Sequence, residues 1–334
     1  MFIGYGSLIF GAVGFLANTA AIIILTRYKE LSKYFFNWLL TATAVNDNVF
    51  LATSIFVAIN QHFYRTSFHD YAYVSFIYPI QTISLFASIY MMVLLSYERY
   101  KAVSQKTRYE GTVAEMQSPW VRLSYHIGLI FIASFAVNIS TFWELEVKKE
   151  SKDILNTNDS DSQDYIAMAV DLSSHRYLHR PVYRYIALFH VLTKTVVPII
   201  LLIYFNSIIY KALQKLYQKK RHMINIRNEC YLNVTRTECY QKTNRNIANL
   251  IVVLSIVCVF VLCHALCPVH IISDVLNNEN EHQAWNLGCN GVKYWMLVIT
   301  TLSNFLVVVN ASVNLFIYVA VNTKFKTTMV KLIC

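Results

Sequence analysis

A chain of 334 residues that is 56% hydrophobic and only 14% charged carries too few charges for an ordinary soluble fold, in which about a quarter of residues are charged. Its net charge of +10 leaves two classes of anionic partner, nucleic acid and membrane lipid. The bases are spread along segments that flank apolar runs instead of being gathered in one basic module, which disfavours nucleic acid and fits an anionic leaflet.

Seven stretches of about 20 or more residues with little charge are long enough to cross a bilayer core. They run over about 3–26, 34–60, 71–103, 121–142, 185–210, 246–273 and 294–321. The first lacks the basic start and small-residue cleavage site of a signal peptide. The third holds no Asp, Glu, Lys or Arg from Tyr71 to Tyr97 and then ends in Glu98-Arg99-Tyr100. Asp47, His126, Lys194, His264 and His270 are polar intruders within the spans, where ionisable groups are costly and tend to be paired and functional.

Charge sets the orientation. With the 2–3, 4–5 and 6–7 connections outside, the opposite side holds 20 of the 29 Lys and Arg residues and six acids, against nine bases and twelve acids outside. This positive-inside asymmetry predicts a multi-pass protein with its N-terminus outside and its C-terminus inside. The fold class expected is an all-α membrane protein, one seven-transmembrane helix bundle over residues 1–334.

Polar residues recur through these spans in a particular order. They are Gly14 and Asn18, then Asn37 and Asp47, then Glu98-Arg99-Tyr100 and Pro198. Phe260-Val-Leu-Cys263-His264 follows, then Asn314-Leu-Phe-Ile-Tyr318 and Lys324-Phe325-Lys326. In that order and spacing the chain resembles the rhodopsin-like (class A) G-protein-coupled receptors along nearly its whole length. Within them it is most similar to the invertebrate FMRFamide-type neuropeptide receptors. Tyr78-Pro79-Ile-Gln-Thr-Ile-Ser, Glu98-Arg-Tyr-Lys-Ala-Val103, Phe142-Trp-Glu144 and Asn310-Ala-Ser-Val-Asn314 carry that second likeness.

The resemblance implies roles for the matching positions. Glu98, Arg99, Tyr100, Asn314 and Tyr318 would form the G-protein switch, with Arg99 held by Glu98 at rest and released toward a heterotrimeric G protein. Phe260 and His264 would transmit the signal. Lys324 to Lys326 would open a short amphipathic eighth helix, and the plasma membrane would be the location. The plainer reading of Glu98 and Arg99 is a pair of boundary charges with their stems in the membrane.

Asp47 stands mid-span, where a lone carboxylate costs roughly 2.5–3.5 kcal/mol and needs partners. Asn310 and Asn314, four apart on one helix face, could gather around it with Ser88 and Asn18. By resemblance such a cluster binds an allosteric sodium ion, with Asp47 and Ser88 as ligands; the alternatives are a hydrogen-bonded cluster without metal or a protonated Asp47. No other cofactor is implied.

The chain departs from the family pattern in several places. Pro268 stands two residues beyond the expected position, Leu266, in span six, and His264 replaces a tryptophan. Leu315 replaces the seventh-span proline, and span four lacks a central tryptophan. Val74 occupies the third-span cysteine position, and residues 141–190 contain no cysteine, so the family's disulfide to the second outer loop is missing.

Ligand class narrows by exclusion. Gln81, eighteen residues before Arg99, stands where amine receptors carry an aspartate, and Val308 stands where opsins carry the retinal lysine. The outer surface is acidic, with Glu144, Glu146, Glu150, Asp153, Asp159, Asp161, Asp164 and Asp274. It complements a cationic peptide ending in Arg-Phe-amide, with Gln81, Glu144 and Asp274 as expected contacts. The bland alternative is a solvated acidic loop. A small-molecule chemosensory receptor of the same fold is the second function considered. A transporter is disfavoured by the lack of an inverted repeat and by only eight glycines and five prolines. An enzyme is disfavoured because no catalytic, metal or phosphate-loop motif has convincing spacing.

Overall fold

The structure, a computed structural model, describes residues 2–27, 35–62, 66–104, 119–150, 167–172 and 180–229, with most of 251–264 and 294–317. Asp274, Tyr318, Leu315, Pro268 and the proposed eighth helix lie outside the described residues. Five helices are long and apolar enough to cross a membrane: Tyr5–Arg27, Phe35–Asn60, Phe68–Ala102, Val121–Trp143 and Tyr185–Lys215. They match the first five predicted spans to within a few residues. The seventh is helical over Tyr294–Ser312, and the described part of the sixth is helical over 257–264.

The third span lies at the centre of the bundle. All six residues from Met91 to Ser96 are buried, and burial through more than a full turn requires neighbours on every side. Leu39, Leu51, Ile89, Leu95, Leu202, Ile209 and Phe260 fill the interior around it. Leu16, Ile132, Phe135, Ile200 and Ile203 point outward and exposed. In water such a belt would be an association surface; in a bilayer it meets lipid tails.

Spans one and seven approach most closely at Gly14. A Cβ there would lie 2.8 Å from the Ser312 Cα, too near for any side chain. The Ser312 hydroxyl sits 2.7 Å from the Val308 carbonyl and 3.0 Å from that of Phe10, and Asn18 Nδ2 donates to the Ala311 carbonyl at 2.9 Å. The glycine is thus needed for close backbone approach, and the polar groups around it tie the bundle's first and last spans together.

Two spans widen into π turns, each just before a proline. In span three, Ser67–Ala72 passes through Tyr73–Ile77 into Tyr78–Ser104, with Pro79 near the start of the last. In span five, Arg180–Val191 passes through Leu192–Val196 into Val197–Glu229, with Pro198 its second residue. Proline has no N–H and its ring crowds the carbonyl four residues back, so the wider turn relieves the clash. The Val197 N–H bonds the Leu192 carbonyl; the next bond in that pattern would join position 198 to Thr193, and a proline cannot donate it. The Tyr90 hydroxyl of span three donates to the Thr193 carbonyl instead, at 2.9 Å.

Three boundaries differ from expectation. The third-span helix starts at Ser67, four residues early, because the Thr66 hydroxyl caps it by accepting the His69 N–H at 3.3 Å. The fifth runs to Glu229, nineteen residues past Tyr210. Its Lys, Gln, Ala and Leu residues favour helix, so it continues past the apolar stretch. The fourth ends at Val137 and turns through the 3₁₀ segment Ile139–Trp143.

Strands β1 (Leu145–Glu150) and β2 (Ala167–Leu172), in what the sequence presented as an acidic loop, pair antiparallel with Leu145 opposite Leu172 and Glu150 opposite Ala167. β1 packs beside the Tyr73–Ile77 turn and β2 beside Ser67–Ala72.

Tyr90→Phe would leave the Thr193 carbonyl without its donor in the membrane interior. It is expected to cost about 1–3 kcal/mol, read as a lower melting temperature of the purified protein with little change in helical content.

Candidate functional site

Three polar regions are stacked along the bundle. Near mid-membrane, Asp47 is 3% exposed and takes one donor at each oxygen. The Ser88 hydroxyl donates to Oδ1 at 2.6 Å and Asn314 Nδ2 donates to Oδ2 at 2.7 Å. Asn46 Nδ2 donates to Ser88 Oγ at 2.7 Å and to the Ser84 carbonyl at 2.9 Å. Spans two, three and seven therefore meet at one carboxylate. Asn18 is buried but bonds Ala311, and Asn310 is buried without being a hydrogen-bond partner of Asp47. The Oδ1 atoms of Asn18 and Asn314 are buried and accept no hydrogen bond.

At the end of span three that carries the Glu98-Arg99-Tyr100 motif, Glu98 is 3% exposed and its Oε1 lies 2.5 Å from Arg122 Nη2 of span four. The Arg99 guanidinium lies over the Phe36 ring, 3.3 Å from its centroid, and that of Arg122 lies 4.6 Å from the centroid of Phe35. Tyr100 packs against Phe205 and Tyr204 of span five at 5.3 and 6.1 Å between ring centroids. The motif expected from sequence is thus set among aromatic rings of spans two and five, with a cationic partner from span four that the sequence reading passed over. Arg122 was counted only among the inside bases; its place within the first turns of an apolar span was the signal available.

In span six, the Phe260 and His264 rings stack at 4.2 Å and 23°, both buried. One helical turn separates them, and the planar imidazole continues the aromatic stack where a larger indole was expected.

At the opposite end of the bundle, Tyr78 donates to Glu144 Oε2 at 2.8 Å, joining span three to the end of span four. The charge of Glu144 also acts on Tyr73, His190 and Lys194, so spans three, four and five converge there. His190 Nε2 donates to the Val137 carbonyl at 2.9 Å. Gln81 is half-buried and donates to Ser54 Oγ at 3.0 Å, which places it toward span two. Tyr78, His190 and Lys194 share this region with Glu144; Lys194 stands out in the sequence as a charge within an apolar run, and Tyr78 belongs to a stretch that carries the second likeness.

A central span buried on all sides, a carboxylate shared by three helices and a charged end at Glu98 and Arg99 define a helical, multi-pass membrane bundle. The family model for the 7 transmembrane receptor (rhodopsin family) matches residues 17–318, and the chain belongs to that family, one of receptors and not of enzymes. Among curated proteins it is similar to the FMRFamide receptor of Drosophila melanogaster, at 26% identity over 326 residues. The match covers 95% of this chain and 51% of the relative, so the chain spans about half the length of that relative.

Ser88→Ala removes a donor to Asp47 and an acceptor from Asn46 in one step. A loss of about 1–3 kcal/mol is expected, seen as reduced thermal stability; Ser88→Thr, which keeps the hydroxyl, should recover most of it.

Proposed function

We propose that this receptor sits in the plasma membrane with its N-terminus outside and converts binding of an amidated, FMRFamide-like neuropeptide into activation of a heterotrimeric G protein. The observation that carries this reading is Arg99, at the charged end of the most buried span and stacked on Phe36. A guanidinium is permanently charged and presents five donors in a rigid fork, so it suits a helix terminus of a partner that enters when the bundle opens. The basic segment from Lys211 to Arg245 would lie beside that partner and the anionic leaflet. Activation is a population shift, so the peptide must bind the open state more tightly than the closed one.

The peptide class is supported by the likeness to the FMRFamide receptor and by the outer cluster. Glu144, with Tyr78 beside it, offers a carboxylate to an arginine side chain, and Gln81 offers an amide to a backbone or terminal amide. Asp274 completes the set of expected contacts. Lys194 shares the field of Glu144, so the free outer cluster carries both signs of charge.

A sodium ion fits the inner cluster. Asp47 and Ser88 supply oxygen ligands suited to a hard cation, and Asn314, whose Nδ2 bonds Asp47, has a buried, donor-free Oδ1. Bound there, the ion would neutralise the carboxylate and favour the closed arrangement of spans two, three and seven.

Expression in cultured cells with a promiscuous G protein, followed by calcium release against a panel of amidated peptides, tests the function. A saturable response to Arg-Phe-amide peptides that is lost with the free acid is expected; silence despite surface expression would move the reading to a chemosensory receptor for small molecules. Arg99→Ala should preserve peptide binding and abolish nucleotide exchange, whereas equal loss of binding and surface expression would refute its role. Glu144→Gln should raise the peptide concentration for half-response by about tenfold or more, the effect of about 1.4 kcal/mol of lost interaction. Asp47→Asn should remove the sodium sensitivity of peptide binding.

A further inference from the structure

We infer that Phe36 is a positioning residue for the Arg99 switch: its ring is the seat on which the guanidinium rests while the receptor is closed, and leaving that ring is part of opening. The inference rests on the reading of Arg99 as the arm that reaches the G protein.

The Arg99 guanidinium lies 3.3 Å from the centroid of the Phe36 ring, within the range of a cation–π contact. Arg99 is thereby turned toward span two, whereas Tyr100, the next residue, packs on Phe205 and Tyr204 of span five. An arm laid over a ring of span two is not extended toward a partner beside the basic segment that follows span five. The contact therefore belongs to the closed arrangement.

The ring is held there in register. Phe36 and Asp47 are eleven residues apart in the helix Phe35–His62, and Ser88 and Arg99 are eleven apart in the helix Tyr78–Ser104. Eleven residues make about three turns, so each pair lies on one face of its helix with about 16 Å between its members. The 2.6 Å bond from Ser88 to Asp47 and the contact of Arg99 with Phe36 are thus two rungs of one antiparallel pairing. Leu39, Leu40 and Thr43 continue the buried face of span two between them. Span two cannot slide on span three far enough to withdraw the ring without straining the buried Asp47 bond as well.

The chemistry of the seat suits an arm that has to leave. A ring face attracts a cation through its quadrupole and offers no hydrogen bond, so departure strands no buried acceptor on span two. A carboxylate in that place would hold the guanidinium by directed, charge-assisted bonds, which a partner would first have to break. Phe35, the preceding residue, faces the Arg122 guanidinium at 4.6 Å, so consecutive rings of span two receive bases from two different spans.

The test is ligand-free nucleotide exchange on a promiscuous heterotrimeric G protein by the purified full chain in lipid nanodiscs, for wild type, Phe36→Leu and Phe36→Trp. Leucine fills space without a π face, and tryptophan offers the strongest one. Phe36→Leu should raise exchange by about fivefold, the factor that one cation–π contact of ordinary strength contributes to the closed state, and Phe36→Trp should lower it. A ring that merely fills space would shift both variants in the same direction, in step with the loss of folded protein. That result, or unchanged exchange in Phe36→Leu, overturns the inference. Arg99→Ala tests the underlying reading separately: it should lose exchange whatever stands at 36, and full exchange there refutes the arm and not the seat alone. If basal exchange is too low to read, or a Phe36 variant folds poorly, NMR of the wild-type chain decides. The ring current of Phe36 should move the Arg99 side-chain protons upfield, in signals assigned by their absence from Arg99→Lys, and binding of nucleotide-free G protein should abolish that shift. A shift absent from the free chain, or one that persists in the complex, refutes the proposal.

Discussion

Hydrocarbon offers no hydrogen bonds, so a polar group left over by one helix has to be met by a group from another. That demand organises the interior of this receptor. Pro198 leaves the Thr193 carbonyl of span five without a helical donor, and Tyr90 of span three supplies it. Asp47 of span two is met by Ser88 and Asn314 from spans three and seven. Glu98 of span three is met by Arg122 of span four, and the Val137 carbonyl of span four by His190 of span five. The apolar residues are interchangeable with lipid in their preferences, so they contribute packing; the polar pairs choose which helix faces which.

The outer end shows the same logic replacing a covalent bond. Residues 1–229 contain no cysteine, so no disulfide can anchor the second outer loop to span three. The β1–β2 ribbon instead lies along the capped start of span three, and the Tyr78–Glu144 hydrogen bond joins that span to the end of span four. A disulfide contributes typically 2–4 kcal/mol by restricting the unfolded chain, whereas these contacts act only in the folded state. The ribbon's first strand therefore begins directly after Glu144, the carboxylate that Tyr78 holds.

Length and charge made the spans legible, because hydrophobic thickness imposes a single length scale on every helix. The Asp47 cluster was legible for a similar reason: a buried acid must have partners, and Ser88 and Asn314 were the right distance along neighbouring spans. Asn310, on the same helix face as Asn314, and Asn18 were expected there too, but the identity of a partner depends on helix rotation, which spacing alone leaves open. Arg122 escaped notice because a base at a helix start reads equally well as a surface charge, and only the folded contact with Glu98 separates the two. The π turns precede Pro79 and Pro198, whose missing N–H shifts the hydrogen-bond ladder in a way that the residue type alone does not specify. The ribbon was hidden by its charges: with Glu146, Lys148, Lys149 and Glu150 in β1, it lacks the alternating apolar pattern of a half-buried strand.

The meeting of Gly14 with Ser312 also has a consequence in time. Phe10 and Ser312 are 302 residues apart, so although span two packs on span one soon after it is made, this contact with span seven waits until span seven is made. At synthesis rates of about 5–20 residues per second, that interval is roughly 15–60 s. During it Gly14 presents a bare stretch of backbone and Asn18 an unmatched amide, inside a membrane crowded with other nascent helices. The small side chain that makes the final closure possible is also what leaves the first span least defended while it waits.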